Sequence, residues 1–278
     1  MSTAFPLRAR LHHLQLGSPD PERLARFYGD VFDGHTRQAD ESWLCCGETR
    51  CLVFAPGAPK TLHFAAYAVD DPAMLDGLTA RLEQRGIARL PSPTSLLAPD
   101  AVAFRDPDGN QIVFGAPQPI PGQPSTVPGR LQHVVVGSPD AGRMTDFYST
   151  VVGLRISDRV LDADNTLKTC FLRTDEEHHS FAVFQTAESR FDHHCYELPD
   201  WNAIRDWGDR LAARRIVVKW GPGRHGPGNN LFLFFHDPDG NWLEVSAELE
   251  RVPDGRPAGT WPHEEHTLNL WGQGLLRS

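Results

Sequence analysis

Two imidazoles and one carboxylate, His133, His193 and Glu244, stand on three separate apolar runs in the second half of the chain. Two histidines with one carboxylate leave coordination positions open on non-haem Fe(II), so a substrate and oxygen can bind side by side. The same donors also serve Zn(II) or Mn(II), and the residues alone leave the metal open. Glu244 lies in Asn229–Glu248 (NNLFLFFHDPDGNWLEVSAE), where Asp237-Pro238-Asp239-Gly240 reads as the turn of a β-hairpin. Alternation puts Trp242, Glu244 and Ser246 on one face of its second strand. A carboxylate there is costly to bury unless it is paired or binds a metal; otherwise it belongs on an edge facing water. Further histidines bear on proton transfer. His225 sits in the Gly/Pro-dense loop GPGRHGPGNN (221–230), which carries it to the edge of the same hairpin. His178 and His179 precede the run Ser180–Gln185, and His178, beside Glu176 and Glu177, reads as solvated. His194 points away from His193 by alternation and reads as a supporting or structural residue, while His263 and His266 lack a supporting pattern.

The elements that position these residues come from a repeat. Arg10–Gly34 (RLHHLQLGSPDPERLARFYGDVFDG) and Arg130–Leu154 (RLQHVVVGSPDAGRMTDFYSTVVGL) share Gly-Ser-Pro-Asp and Phe-Tyr at a spacing of 120 residues. Each reads as a strand, a capped helix start and a helix with Phe-Tyr on its buried side. Weaker copies follow. His63–Asp70, Pro72–Arg85 and the hairpin Ala101–Phe114 form one, and Phe191–Leu198, Trp201–Arg215 and the opening hairpin form the other. With short strands between them, the pattern is strand–helix–strand–strand–strand, four times over. The expected division is a first domain over 1–116, a Pro/Gly-rich linker over 117–129, a second domain over 130–250 and a tail over 251–278 that docks on the body. Aligning the halves pairs His13 with His133, His63 with His193 and Val113 with Glu244, so the first half lacks the anionic ligand and is expected to be metal-free.

The 278 residues suffice for two domains. A net charge of −9 without a basic run argues against nucleic acid or an anionic membrane as partner. No secretory signal or membrane-length apolar run is read, and five cysteines without zinc spacing read as reduced packing residues of a cytoplasmic protein.

These residues resemble the type I extradiol ring-cleaving dioxygenases of the vicinal oxygen chelate superfamily. The resemblance covers almost the whole chain. Its most specific pieces are Gln132-His133, Asp192-His193-His194-Cys195-Tyr196-Glu197-Leu198, Gly-Pro-Gly-Arg-His225-Gly, and Asp237-Pro-Asp-Gly-Asn-Trp-Leu-Glu244-Val. It implies an α+β fold of two domains, each made of paired βαβββ modules in curved mixed sheets. It implies Fe(II), with Mn(II) as the alternative, held by His133, His193 and Glu244. His179 matches the family's acid–base histidine, and His225 one that hydrogen-bonds substrate or oxygen. The implied reaction cleaves a catechol-type ring with O2 in aromatic catabolism, and the usable edges of such sheets lead us to expect a homo-oligomer. Phe234 departs from the family pattern, standing where a substrate-binding tyrosine is usual ten residues before the Glu; a phenyl ring cannot donate that hydrogen bond. A glyoxalase-type lyase or isomerase, or a non-catalytic protein that binds small aromatics, are the alternative readings.

Overall fold

In the computed structural model, which describes residues 6–119, 125, 127–253 and 255–276, each half of the chain builds one mixed sheet. Linker residues 120–124 and 126 and tail residues 254, 277 and 278 lie outside the described residues. The first sheet holds β1 (Ala9–Ser18), β2 (His35–Ala39), β3 (Ser42–Cys46), β4 (Cys51–Pro56), β5 (Thr61–Val69), β6 (Val102–Arg105) and β7 (Gln111–Gly115), in the order β2-β3-β4-β1-β5-β7-β6. The second holds β8 (Arg130–Ser138), β9 (Arg155–Leu161), β10 (Leu167–Arg173), β11 (Phe181–Gln185), β12 (Arg190–Leu198), β13 (Val218–Arg224), β14 (Leu231–His236), β15 (Trp242–Ala247) and β16 (Gly259–Pro262). Its order, β13-β14-β15-β12-β8-β11-β10-β9-β16, repeats the first with a strand added at each edge, β13 at one and the tail strand β16 at the other.

The helices are α1 (Pro21–Phe32), α2 (Met74–Gln84), α3 (Ala141–Asp146, continuing through a wider-turned stretch, Phe147–Val152), α4 (Trp201–Ala213) and α5 (Glu265–Leu268). The repeated Ser-Pro-Asp does the same work in both halves. Asp20 caps α1 by accepting from Arg23 N (3.0 Å), and Asp140 caps α3 by accepting from Arg143 N (2.9 Å). Of the four repeat units, three contain all four expected strands. In the unit after α2 the first strand shrinks to a single bridge, Leu90 to Ala103, because Pro91, Pro93 and Pro99 remove ladder donors along that stretch.

The halves are clamped reciprocally. Tyr28 of α1 donates to Asp237 Oδ2 in the second-half hairpin turn (3.1 Å), and Tyr148, following α3, donates to Asp106 Oδ2 in the first-half turn (2.9 Å). Arg23 pairs with Asp239 in one direction and Arg143 with Asp108 in the other (2.6 Å). The duplicated Phe-Tyr and Asp-Pro-Asp-Gly motifs thus recognise each other across the two halves.

Two readings of the sequence need correction. Cys46 and Cys51 are not both reduced thiols: they face each other as register partners of β3 and β4 and are joined in a disulfide, while Cys45, Cys170 and Cys195 are free and buried. Nor does His63 match His193. Ala66 pairs with both His13 and Val113, as Cys195 pairs with both His133 and Glu244. Counting back two residues from each makes Phe64 the counterpart of His193, and His63 that of Asp192. A one-residue slip exchanges the faces of a strand.

Candidate metal centre

Strands β8, β12 and β15 are adjacent at the middle of the second sheet, and each contributes one inward side chain. His133 Nε2 lies 3.4 Å from His193 Nε2 and 3.2 Å from Glu244 Oε2, and His193 Nε2 lies 3.3 Å from the same oxygen. All three residues are at least 95% buried. The far nitrogen of each ring is already engaged. His133 Nδ1 is 2.5 Å from Gln132 Oε1, and His193 Nδ1 is 2.7 Å from Asp192 Oδ1. Both acceptors require the ring to donate from Nδ1, which leaves lone pairs on both Nε2 atoms, aimed at each other and at a carboxylate. Three acceptors at van der Waals distance with no donor between them repel; a divalent cation satisfies all three together. The residues present therefore fit a metal, with the oriented outer hydrogen bonds that metal-bound histidines need.

The carboxylate is also oriented. Asn230 Nδ2 donates to Glu244 Oε1 (3.2 Å), and His225 Nε2 approaches that oxygen at 3.5 Å. Burial pushes the Glu244 carboxyl upward, and only positive charge on its inner side, from protonated rings of His133, His193 and His225 or from a cation held between them, outweighs burial and holds the group well below the ordinary carboxylate range. Burial lowers His133, against the opposing pull of Glu244, so its neutral, ligating form is favoured. Cys195, two residues beyond His193 on the same strand face, joins His133 and Glu244 in a buried cluster of ligand-type residues. Burial keeps its thiol protonated well above the usual range.

The cluster forms the floor of a cleft of about 600 Å³, its open mouth included. His179 and His225 both line it. His179 lies with its ring 4.3 Å from that of His133, and burial, then the neighbouring His133, lower it well below the usual histidine value. His225 stacks on Phe232 at 4.0 Å, and its Nδ1 donates to Leu268 O at 2.5 Å, so a tail carbonyl sets its orientation. Phe234, opposite Glu244 in register, forms a wall against the edge of the His193 ring (5.3 Å) and against Trp220 (5.2 Å). Thr267, Leu268 and Leu275 bring the tail over the cleft, whereas Trp201 is 41% exposed and packs on Trp271 outside it.

The sequence residues His133, His179, His193, His225, Phe234 and Glu244 thus come together, and His194 lies on the other strand face, 3.3 Å from Tyr28 Oη. His178 is a correction. It is fully buried, not solvated, with Nδ1 3.0 Å from His179 Nδ1 and Nε2 3.1 Å from Asp158 Oδ2. Its neighbours Glu176 and Glu177 turn away to pair with Arg8 and Arg130. Sequence reasoning also missed roles for Gln132, Asp192 and Asn230. The first two adjoin ligand histidines in sequence, a signal that could have found them; Asn230 and Asp158 carried none.

Residues 10–114 and 130–245 match the family described as Glyoxalase/Bleomycin resistance protein/Dioxygenase superfamily. Metapyrocatechase 2 of Cupriavidus necator is 30% identical over 94% of this chain and 88% of its own length. Among solved structures, homoprotocatechuate 2,3-dioxygenase from Arthrobacter globiformis superposes with a TM-score of 0.82 at 23% identity, over 98% of this chain and 91% of that one. The Mn(II)-bound glyoxalase from Novosphingobium aromaticivorans gives 0.79 at 25% identity, over 96% and 92%.

Proposed function

This chain belongs to the glyoxalase/bleomycin resistance protein/dioxygenase superfamily, and we propose that within it the protein is an Fe(II)-dependent extradiol dioxygenase that opens a catechol-type ring with O2. One observation carries the reading. The His133–His193–Glu244 triangle lies under a cleft whose lining includes two further histidines, His179 and His225, that belong to no ligand set. His133, His193 and Glu244 would hold the metal, with Mn(II) as the alternative, and the first half, with Phe64 and Val113 at the positions equivalent to His193 and Glu244, would lack that ligand set. Bound Fe(II) would supply Lewis acidity and a path for electrons between ring and oxygen.

The remaining chemistry falls to the chain's own residues. His179, held neutral by burial, is able to take a proton from a catechol hydroxyl and return it during ring opening. His225, fixed through Leu268 O, presents Nε2 to the cleft as the second hydrogen-bonding group. Phe234 and Trp220 form a flat apolar wall that orients the ring and excludes water. None of the described lining residues is Lys or Arg, so the cleft suits a ring with uncharged substituents. No helix of the described residues is long and apolar enough to cross a membrane; a cytoplasmic location and assembly into a homo-oligomer through sheet edges complete the proposal.

The test is anaerobic reconstitution with Fe(II), followed by a catechol panel that includes a carboxylated member, then air. Oxygen uptake with a yellow ring-cleavage product is expected, strongest with uncharged rings. No uptake with any catechol would refute the reading. The likeness to a Mn(II)-bound glyoxalase favours a lyase or isomerase as the second reading; that chemistry consumes no oxygen, so the same assay separates the two.

A further inference from the structure

We propose that His178 and Asp158 are positioning residues for His179, fixing which of its ring nitrogens carries the proton. The inference rests on the proposed catechol chemistry for its consequence, but its structural basis is independent of it. Asp158 on β9 and His178 ahead of β11 are both essentially inaccessible to solvent. They form a line into the cleft. Asp158 Oδ2 lies 3.1 Å from His178 Nε2, and His178 Nδ1 lies 3.0 Å from His179 Nδ1. The first contact is bent off the axis of the ring N–H, so it acts through charge more than through a linear hydrogen bond.

Two ring nitrogens 3.0 Å apart share a single proton, and the direction of sharing decides the tautomer of His179. A carboxylate beside Nε2 of His178 favours the proton there. His178 Nδ1 then offers a lone pair, His179 donates to it from Nδ1, and His179 Nε2 is left as a lone pair for the cleft. A hydroxyl of the substrate can give its proton to that nitrogen while Nδ1–H stays in place, and the proton returns by the same atom. Reversing the polarity would put N–H on the cleft side, and His179 could no longer act as a base. A carboxylate beside one ring nitrogen sets a histidine tautomer in the same sense elsewhere, and here its charge does so across one further ring.

The line is held from its far end by the tail. Asp158 Oδ2 accepts from Trp261 Nε1 (2.8 Å), and Oδ1 accepts from Arg256 Nη1 and Gly259 N (both 3.0 Å). These donors keep the carboxylate ionised and aimed. His178 is fixed in turn by its backbone N–H to Glu250 O (2.9 Å) and by its ring against Phe171. Strand β16 therefore has a local purpose: its pairing with β9 brings Trp261 to Asp158.

The test compares the parent with His178→Phe, which keeps a packed ring but removes the acceptor, and His178→Asn, whose side-chain oxygen can take the place of Nδ1. Two readouts are needed. The first is the His179 tautomer, from nitrogen shifts of histidine-labelled full-length protein, metal-free and with Zn(II), assigned by loss in His179→Ala. The second is steady-state ring cleavage. Expected are the Nδ1–H tautomer in the parent, its loss in His178→Phe with a fall in kcat of at least about ten-fold and a KM changed far less, and recovery of both in His178→Asn. An Nε2–H tautomer in the parent would overturn the proposal. So would an unchanged tautomer in His178→Phe, or a kcat that follows protein stability and not the tautomer. If the parent cleaves no catechol, the functional reading fails, while the tautomer measurement still decides this one.

Discussion

Removing the acceptor behind His193 is a direct test of how the metal centre is built. Asp192 is 7% exposed, and its Oδ1 receives the Nδ1–H of His193 at 2.7 Å, with Arg190 3.5 Å from the other oxygen. A hydrogen bond to a charged acceptor contributes about 1.5–3 kcal/mol and one to a neutral acceptor about 0.5–1.5. Asp192→Asn keeps an acceptor but loses its charge, a difference of about 1 kcal/mol, or roughly five-fold in metal Kd. Asp192→Ala leaves the ring free to turn and to place either nitrogen inward, and a loss of about 10–100-fold in affinity is expected. Gln132→Ala, which removes the neutral acceptor behind His133, is expected to fall between the two. The assay is competition with a chromophoric chelator for Fe(II) or Mn(II) under anaerobic conditions, with His193→Ala as the reference for a lost ligand. An Asp192→Ala protein that binds metal as tightly as the parent would refute the argument that this carboxylate holds His193 in its ligating tautomer.

Other substitutions probe the wall, the clamp and a buried acid. Phe234→Tyr adds a hydroxyl to a cleft wall that stays packed on Trp220, and steady-state assays are expected to show that catechol turnover survives; complete loss would count against Phe234 as a cleft residue. Tyr28→Phe removes the hydroxyl shared with Asp237 and His194, and a loss of about 1.5–3 kcal/mol is expected in denaturant unfolding. Burial raises the Glu197 carboxyl to about 7, although Ser246 and Leu249 N donate to it. An acid that holds its proton longer folded than unfolded destabilises the fold as pH rises from its unfolded value to about 7. Glu197→Gln should therefore match the parent below about pH 4 and exceed it above pH 7 by at most about 3 kcal/mol. Equal melting temperatures at pH 8 would contradict this.

The recurrence of Gly-Ser-Pro-Asp and Phe-Tyr marked the strand–helix units, because capping and hydrophobic periodicity are local properties that the chain carries wherever it folds. The same holds for the hairpin at Asp237–Gly240, and Glu244 could be singled out because a carboxylate in an apolar strand needs a partner. Register was harder. His63 reads as the counterpart of His193, but the ladder partners that β1, β5 and β7 share, set against those of β8, β12 and β15, match Phe64 to His193, and pairing between distant strands leaves no trace in local composition. Cys46 and Cys51 read as separate thiols in the sequence, because only the β3–β4 pairing brings them face to face.

The sequence by itself determined the four-fold unit, the half that carries the ligand types and the chemistry those types allow. The tertiary structure decided which side chains share a point in space. His178 shows the difference: beside two glutamates in the chain it reads as solvated, yet it lies buried between His179 and a carboxylate 20 residues upstream on β9, held there by a tail strand from the far end of the protein. Solvation and hydrogen-bond polarity are set by what packs from other elements, and those neighbours lie too far along the chain for local pattern to place them.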